Sequence, residues 1–169
     1  DVVLLKYAAD GTLLWASSPY DAGSLDEITA PRCLLDSAGN VYLGVTSTGS
    51  TPDIVLLSYD PSGALRFDVR IDGPSGLADR CVALALDPFD NVIVIGGADA
   101  PLQNTYNAAL WLVAKITSSG AIAWSQFDAS TGHPTAAVCD PAGNIYVSHG
   151  GNQSVVKLDN AGNLAWSTA

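Results

Sequence analysis

An all-β fold assembled from repeated antiparallel units is the class this 169-residue sequence predicts, and three observations predict it. Of the 17 acidic residues all but Glu27 are Asp, and the chain carries 16 Gly and 9 Pro. Asp competes for the backbone and favours turns, where Glu favours helix. Two motifs recur at a period near 50 residues, the mark of an array of structural repeats. The short segments between turns are apolar on both faces, as in strands covered on both sides.

The first motif is Asp36-Ser-Ala-Gly-Asn-Val-Tyr42, which returns as Asp87-Pro-Phe-Asp-Asn-Val-Ile93 and Asp140-Pro-Ala-Gly-Asn-Ile-Tyr146. The second is an apolar run, a turn glycine and an apolar run ending in an aromatic. It joins Lys6, Gly11 and Trp15, then Ser58, Gly63 and Phe67, then Lys115, Gly120 and Trp124, and last Lys157, Gly162 and Trp166.

Each period reads as four strands, A to D. In the first full period A falls near 28–35, B at 40–46, C at 53–60 and D at 64–71. The A–B turn is Asp36-Ser-Ala-Gly-Asn40 and the C–D turn Asp60-Pro-Ser-Gly63. Asp and Pro start such turns, and Gly or Asn supplies the positive φ at the reversal. Tight hairpins between apolar runs give an antiparallel meander. Cys81–Leu86 is helix-like in composition, but its place before an Asp turn makes it a strand.

In Ile54–Tyr59 one face carries Ile54, Leu56 and Ser58, and the other Val55, Leu57 and Tyr59. Radially stacked four-stranded blades cover both faces of such a strand, so a β-propeller ranks first. A two-sheet sandwich would leave its outer faces polar and ranks second. Trp15, Phe67, Trp124 and Trp166 are then expected to fill the same gap between successive blades. The chain opens on a C strand, Val2–Tyr7, and closes on a D strand, Leu164–Trp166. One segment over 1–169 follows: a half blade at 1–27 and blades at 28–79, 80–133 and 134–169. Closure takes typically about 4–8 blades, so an open arc is expected, either part of a longer propeller or completed by another chain.

The string Lys157-Leu-Asp-Asn-Ala-Gly-Asn-Leu-Ala-Trp-Ser167, with Asp140 to Val147 before it, resembles the bacterial β-propeller repeat often named SBBP. The Asp140–Val147 half is also similar to NHL repeats. The Gly162–Trp166 half is similar to the tryptophan-docking motif of quinoprotein propellers, with a turn one residue shorter. Ser58, Phe67 and Asp90 depart from the repeat's own Lys, Trp and Gly. The resemblance implies an extracellular, periplasmic or cell-surface setting.

Composition narrows the function classes. Apolar residues are 48% and charged residues 14%, which excludes intrinsic disorder. No apolar run approaches the length of a transmembrane helix. The net charge of −10 argues against nucleic acid and against anionic membrane surfaces. Met is absent, so residue 1 is not an initiator and the chain is expected to be processed or a fragment, any signal peptide already removed. Cys33, Cys81 and Cys139 lack CxxC spacing and read as small buried hydrophobes, with one disulfide and a leftover thiol as the other reading.

Candidate site residues belong on the rim that carries the longer B–C and D–A loops, because variable loops on a rigid scaffold carry recognition. His133 in a D–A loop and His149 at the start of a B–C loop face one another there in one reading, with Asp128 beside them, as a metal or acid/base pair. Two histidines without a third ligand are a weak pattern, so exposed loop histidines are the plainer reading. Tyr20 and Asp21, with Asp26 and Glu27, and Asn104 and Tyr106 suit carbohydrate or peptide binding, and they are also ordinary loop formers. Asp36, Asp87 and Asp140 read as turn caps rather than calcium ligands, since no EF-hand run is present. Lys6, Lys115 and Lys157 read as solvated lysines that discourage edge pairing. No nucleophile elbow, phosphate loop or dinucleotide fingerprint occurs, so no catalytic residue, metal or cofactor is assigned. The expectation is a noncatalytic module for protein interaction or structural assembly, with a protein partner or self-association through open blade faces. A quinoprotein- or lyase-like enzyme and a carbohydrate-binding propeller are the alternatives.

Overall fold

The computed structural model describes residues 3–17, 32–47, 51–100, 110–128, 133–150 and 154–168. Every regular element among them is a strand. A hairpin of β1 (Leu4–Tyr7) and β2 (Leu13–Ser17) comes first. Three four-stranded sheets follow: β3 (Arg32–Leu35), β4 (Val41–Thr46), β5 (Ile54–Tyr59) and β6 (Leu65–Ile71); β7 (Ala78–Leu86), β8 (Val92–Ala100), β9 (Leu110–Ile116) and β10 (Ile122–Asp128); and β11 (His133–Cys139), β12 (Ile145–Gly150), β13 (Val155–Leu158) and β14 (Leu164–Ser167). Each sheet is an antiparallel meander in chain order, the blade of a β-propeller. The hairpin is the C–D half of a further blade.

The turn chemistry explains the hairpins. Asp36 Oδ1 accepts the backbone N–H groups of Ala38 and Asn40, and Oδ2 accepts the Asn40 amide and the Tyr42 hydroxyl. Asp140 repeats all four bonds with Ala142, Asn144 and Tyr146. Asp87 makes the same backbone and Asn91 bonds, and Ile93 stands where the tyrosine would be. Asp90, at the place of the turn glycine, adopts φ 59°, beside 80° at Gly39 and 81° at Gly143. Asp tolerates this left-handed conformation better than most side chains. Its carboxylate also accepts the Ser37 hydroxyl of the preceding blade.

Three apolar cores lie between successive sheets. Leu4 and Trp15 of the hairpin pack on Val41, Leu43, Val55, Leu57 and Tyr59. Tyr42, Ile54 and Leu56, on the opposite face of the same sheet, meet Val92, Val94, Leu112 and Ala114 of the next. Ile93, Ile95, Trp111 and Val113 meet Ile145, Val147 and Val156 of the last. β4 and β5 are buried at every position, so both of their faces are covered.

The cysteines correct one expectation. None of the three is in a disulfide, and only Cys81 is buried. Cys33 and Leu35 lie on the face of β3 turned toward the half blade, and they are exposed because no A or B strand among the described residues covers them. Cys139 is half-buried, and burial pushes its thiol up to about 11.

Candidate functional site

Tyr20, Asp21, Asp26, Glu27, Asn104 and Tyr106 lie outside the described residues. The histidines can be placed, and they correct the rim reading. Both are in strands: His133 opens β11 and His149 lies near the end of β12. His133 pairs with Gly150, while His149 pairs with Pro134, one position on. Neighbouring strand positions point to opposite faces, so the two imidazoles diverge. His133 is exposed. His149 is buried edge-on against Trp111, with ring centroids 5.3 Å apart, and its Nε2 has no hydrogen-bond partner among the described residues. Burial lowers its pKa below the ordinary histidine value, and the nearby Asp128 carboxylate opposes that shift. A buried imidazole on one face and an exposed one on the other do not form a metal pair.

The rim instead gathers acids that fall outside the repeat. One carboxylate oxygen each from Asp53, Asp72 and Asp79 lies within 4.8 Å of the others. Asp53 closes the β4–β5 connection, where its backbone N–H meets the Ser47 hydroxyl and its carboxylate pairs with Arg70. Asp79 is buried in β7 and accepts the N–H groups of Gly73 at 2.6 Å and Asp99 at 2.9 Å. Burial first, then the Asp72 and Asp99 charges, push it up to about 6. Three carboxylate oxygens can hold a hard cation or share a proton. Here Arg70 and two backbone amides already occupy two of the three acids, and the cluster ties the 72–79 connection to both neighbouring blades. Local sequence patterns miss it because its members come from three separate segments; their only signal is that none occupies a repeat position.

The recurrent lysines and aromatics form a second constellation, one that joins blades. The Trp15 ring lies against Gly63 of the next blade, where an added Cβ would sit 2.8 Å from a ring carbon. Phe67 covers Gly120 and Trp124 covers Gly162 in the same way, at 2.8 and 2.9 Å. The Trp15 Nε1–H and the Lys6 ammonium both donate to the Pro61 carbonyl, two residues before that glycine. Trp124 Nε1–H donates to the Asn160 carbonyl, also two residues before its glycine, and Lys115 donates to the Asn160 side chain. Lys115 is buried and lies 2.7 Å from Asp87. Lys6 and Lys115 are therefore cross-blade staples, a correction to their reading as solvated edge residues, whereas Lys157 lies over Tyr146 of its own blade. Where Ser58 and Phe67 replace Lys and Trp, Arg66 on the adjoining strand substitutes: it donates to Ser58 and to the Ser118 carbonyl, again two residues before the glycine.

The last blade carries this constellation with no described residue beneath it. Trp166 is 42% exposed and stacks edge-on to Tyr146, over whose ring the Lys157 ammonium lies at 5.1 Å. Ala136, Ala137, Val138, Tyr146, Ser148 and Val155 line a shallow depression of about 220 Å³ beside it. Tyr42 and Ile93, at the place of Tyr146 in earlier blades, are fully buried.

No family model and no curated protein matches this sequence. Solved structures do match. A protein of unknown function from Bacteroides caccae superposes with a TM-score of 0.59 at 14% identity over 95% of this chain and 51% of that one. A streptogramin B lyase structure gives 0.59 at 14% over 95% and 45%. A gluconolactonase from Xanthomonas campestris gives 0.57 at 16% over 95% and 52%. At these identities the likeness is one of fold, and the chain spans about half the length of each.

Proposed function

We propose that this chain is a noncatalytic β-propeller module of the SBBP-repeat type that acts through protein–protein assembly, within a longer propeller or a multi-chain complex, in an extracellular, periplasmic or cell-surface setting. The observation that carries this reading is the open end of the last blade, where Val138 on β11 is 65% exposed and Trp166 on β14 is 42% exposed. A propeller face of this composition is covered wherever a neighbouring blade exists, and contiguous exposed apolar surface marks an interaction site. The chemistry-bearing side chains support the same reading. The recurrent Asp residues cap turns, Lys6 and Lys115 staple blades, and the rim acids hold Arg70 and backbone amides. Similarity to a lyase and a lactonase supports the scaffold and brings no substrate with it, because one propeller scaffold hosts many functions.

A photo-crosslinking side chain at Val138, in the protein expressed by its own organism, tests the reading. Mass spectrometry is expected to find the probe joined to polypeptide, and quenching by solvent alone overturns the proposal. Fractionation of the same cells checks the location, and recovery in the cytosol overturns that part.

A further inference from the structure

We propose that the two ends of this chain are the two halves of one blade junction, and that a second copy of the chain supplies the missing half: Trp166 and Lys157 of one copy dock on the Ala8–Gly11 turn of the other. This rests on the assembly reading above and names its partner.

The junction is defined by its three internal examples. In each, an aromatic from the D strand covers the C–D turn glycine of the next blade, and a cation from the C or D strand reaches that turn. Going along the chain, the aromatic always belongs to the earlier blade and the glycine to the later one. Among the described residues this leaves one aromatic without a glycine, Trp166, and one glycine without an aromatic, Gly11. Gly11 holds the same left-handed backbone as Gly63 and Gly162, with φ of 86°, 89° and 86°. An added Cβ at Gly11 meets nothing within 4 Å, whereas at the other two it meets an indole. The carbonyl two residues before it, on Ala9, stands where those of Pro61 and Asn160 accept their bonds, and Ala9 is exposed.

The flanking surfaces agree. Leu5 and Tyr7 occupy the repeat positions of Leu57 and Tyr59. Those two are 1% and 2% exposed against the hairpin, while Leu5 and Tyr7 are 45% and 55% exposed. The hairpin thus shows the apolar face that receives a blade, and β11–β14 shows the face that offers one. A contact between unlike ends is heterologous, and it closes into a ring when the rotation per copy allows.

Sedimentation velocity and native mass spectrometry on the 169-residue chain test the proposal across a concentration series. The wild type is expected to reach twice the chain mass. Trp166→Ala and Gly11→Val are each expected to stay monomeric alone, and their mixture to recover a heterodimer, because one intact Trp166–Gly11 junction remains. Leu5→Arg repeats the Gly11 experiment without altering the turn backbone, so a folding defect in Gly11→Val does not decide the result. A dimer that survives all three substitutions overturns this inference and leaves the assembly reading standing. So does a mixture that fails to pair while Gly11→Val and Leu5→Arg still dimerise alone, since that marks a tail-to-tail contact. A wild-type chain that stays monomeric throughout overturns the self-partner proposal, and the Val138 cross-link then decides the assembly reading separately.

Discussion

Gly11 and Gly162 are a matched pair that separates backbone strain from blade packing. They hold the same place in the repeat and the same φ of 86°. An alanine Cβ at 162 would lie 2.9 Å from the Trp124 ring, and at 11 it would meet open space. The left-handed conformation costs a non-glycine residue about 1–2 kcal/mol. Forcing a methyl group into a packed contact adds about 1–3 kcal/mol. Gly162→Ala is thus expected to destabilise by about 2–5 kcal/mol, and Gly11→Ala by only the about 1–2 kcal/mol of the backbone. Urea unfolding of dilute, monomeric protein, followed by tryptophan fluorescence, measures both. In a Trp124→Ala background the excess at Gly162 is expected to vanish, since the ring that causes the clash is gone. Equal losses in the two glycine variants, or an excess that persists without the indole, would refute the docking geometry.

Four further expectations follow from the same structure. Trp124→Ala is expected to cost near the lower end of about 3–5 kcal/mol because the ring is only partly buried, whereas Trp166→Ala costs about 1 kcal/mol in the monomer, both read from denaturant midpoints. Lys115→Met leaves the buried Asp87 carboxylate without its cation and is expected to destabilise by about 3–5 kcal/mol in the same assay. Asp79 holds its proton to about pH 6 in the folded chain, above the ordinary carboxylate value of 3.8. The folded state therefore binds the extra proton between those values, its stability falls as pH rises through that window, and Asp79→Asn is expected to remove that fall in thermal midpoints. The lowered pKa of His149 acts in the opposite sense: the unfolded chain takes up the proton first, so stability is lost as pH falls below the ordinary value of 6.5. His149→Phe is expected to abolish that loss at unchanged fold by circular dichroism.

The strand plan was legible because turn chemistry is local. Asp36, Asp87 and Asp140 each bond residues two and four positions ahead, and Asp36 and Asp140 also a tyrosine six ahead, so a short sequence window contains the whole device. The docking aromatics are legible as a recurrence, though their glycine partners lie 38 or more residues away and only the period makes them neighbours. Lys115 escapes a local reading because the same residue type serves edges and interiors alike, and only the meander order places β9 inside a blade. His133 and His149 read as loop residues because polar residues beside Gly and Pro look like turns, yet β11 and β12 run through them. Asp53, Asp72 and Asp79 converge through tertiary structure alone, and no spacing rule connects them.

Interchangeable locks create a folding hazard that the middle junction relieves. If every aromatic fitted every glycine turn equally, blades could stack out of order, the misassembly to which repeat proteins are prone. The junction between β3–β6 and β7–β10 carries a different key. Phe67 replaces the indole, Arg66 replaces the lysine, and the Ser37 hydroxyl finds the Asp90 carboxylate that a glycine could not provide. A strand order that skipped a blade would set Arg66 against the wrong turn and leave Ser37 facing Gly143. The departures from the consensus thereby act as address labels, and regularising them to Lys, Trp and Gly would trade correct order for a more uniform ladder.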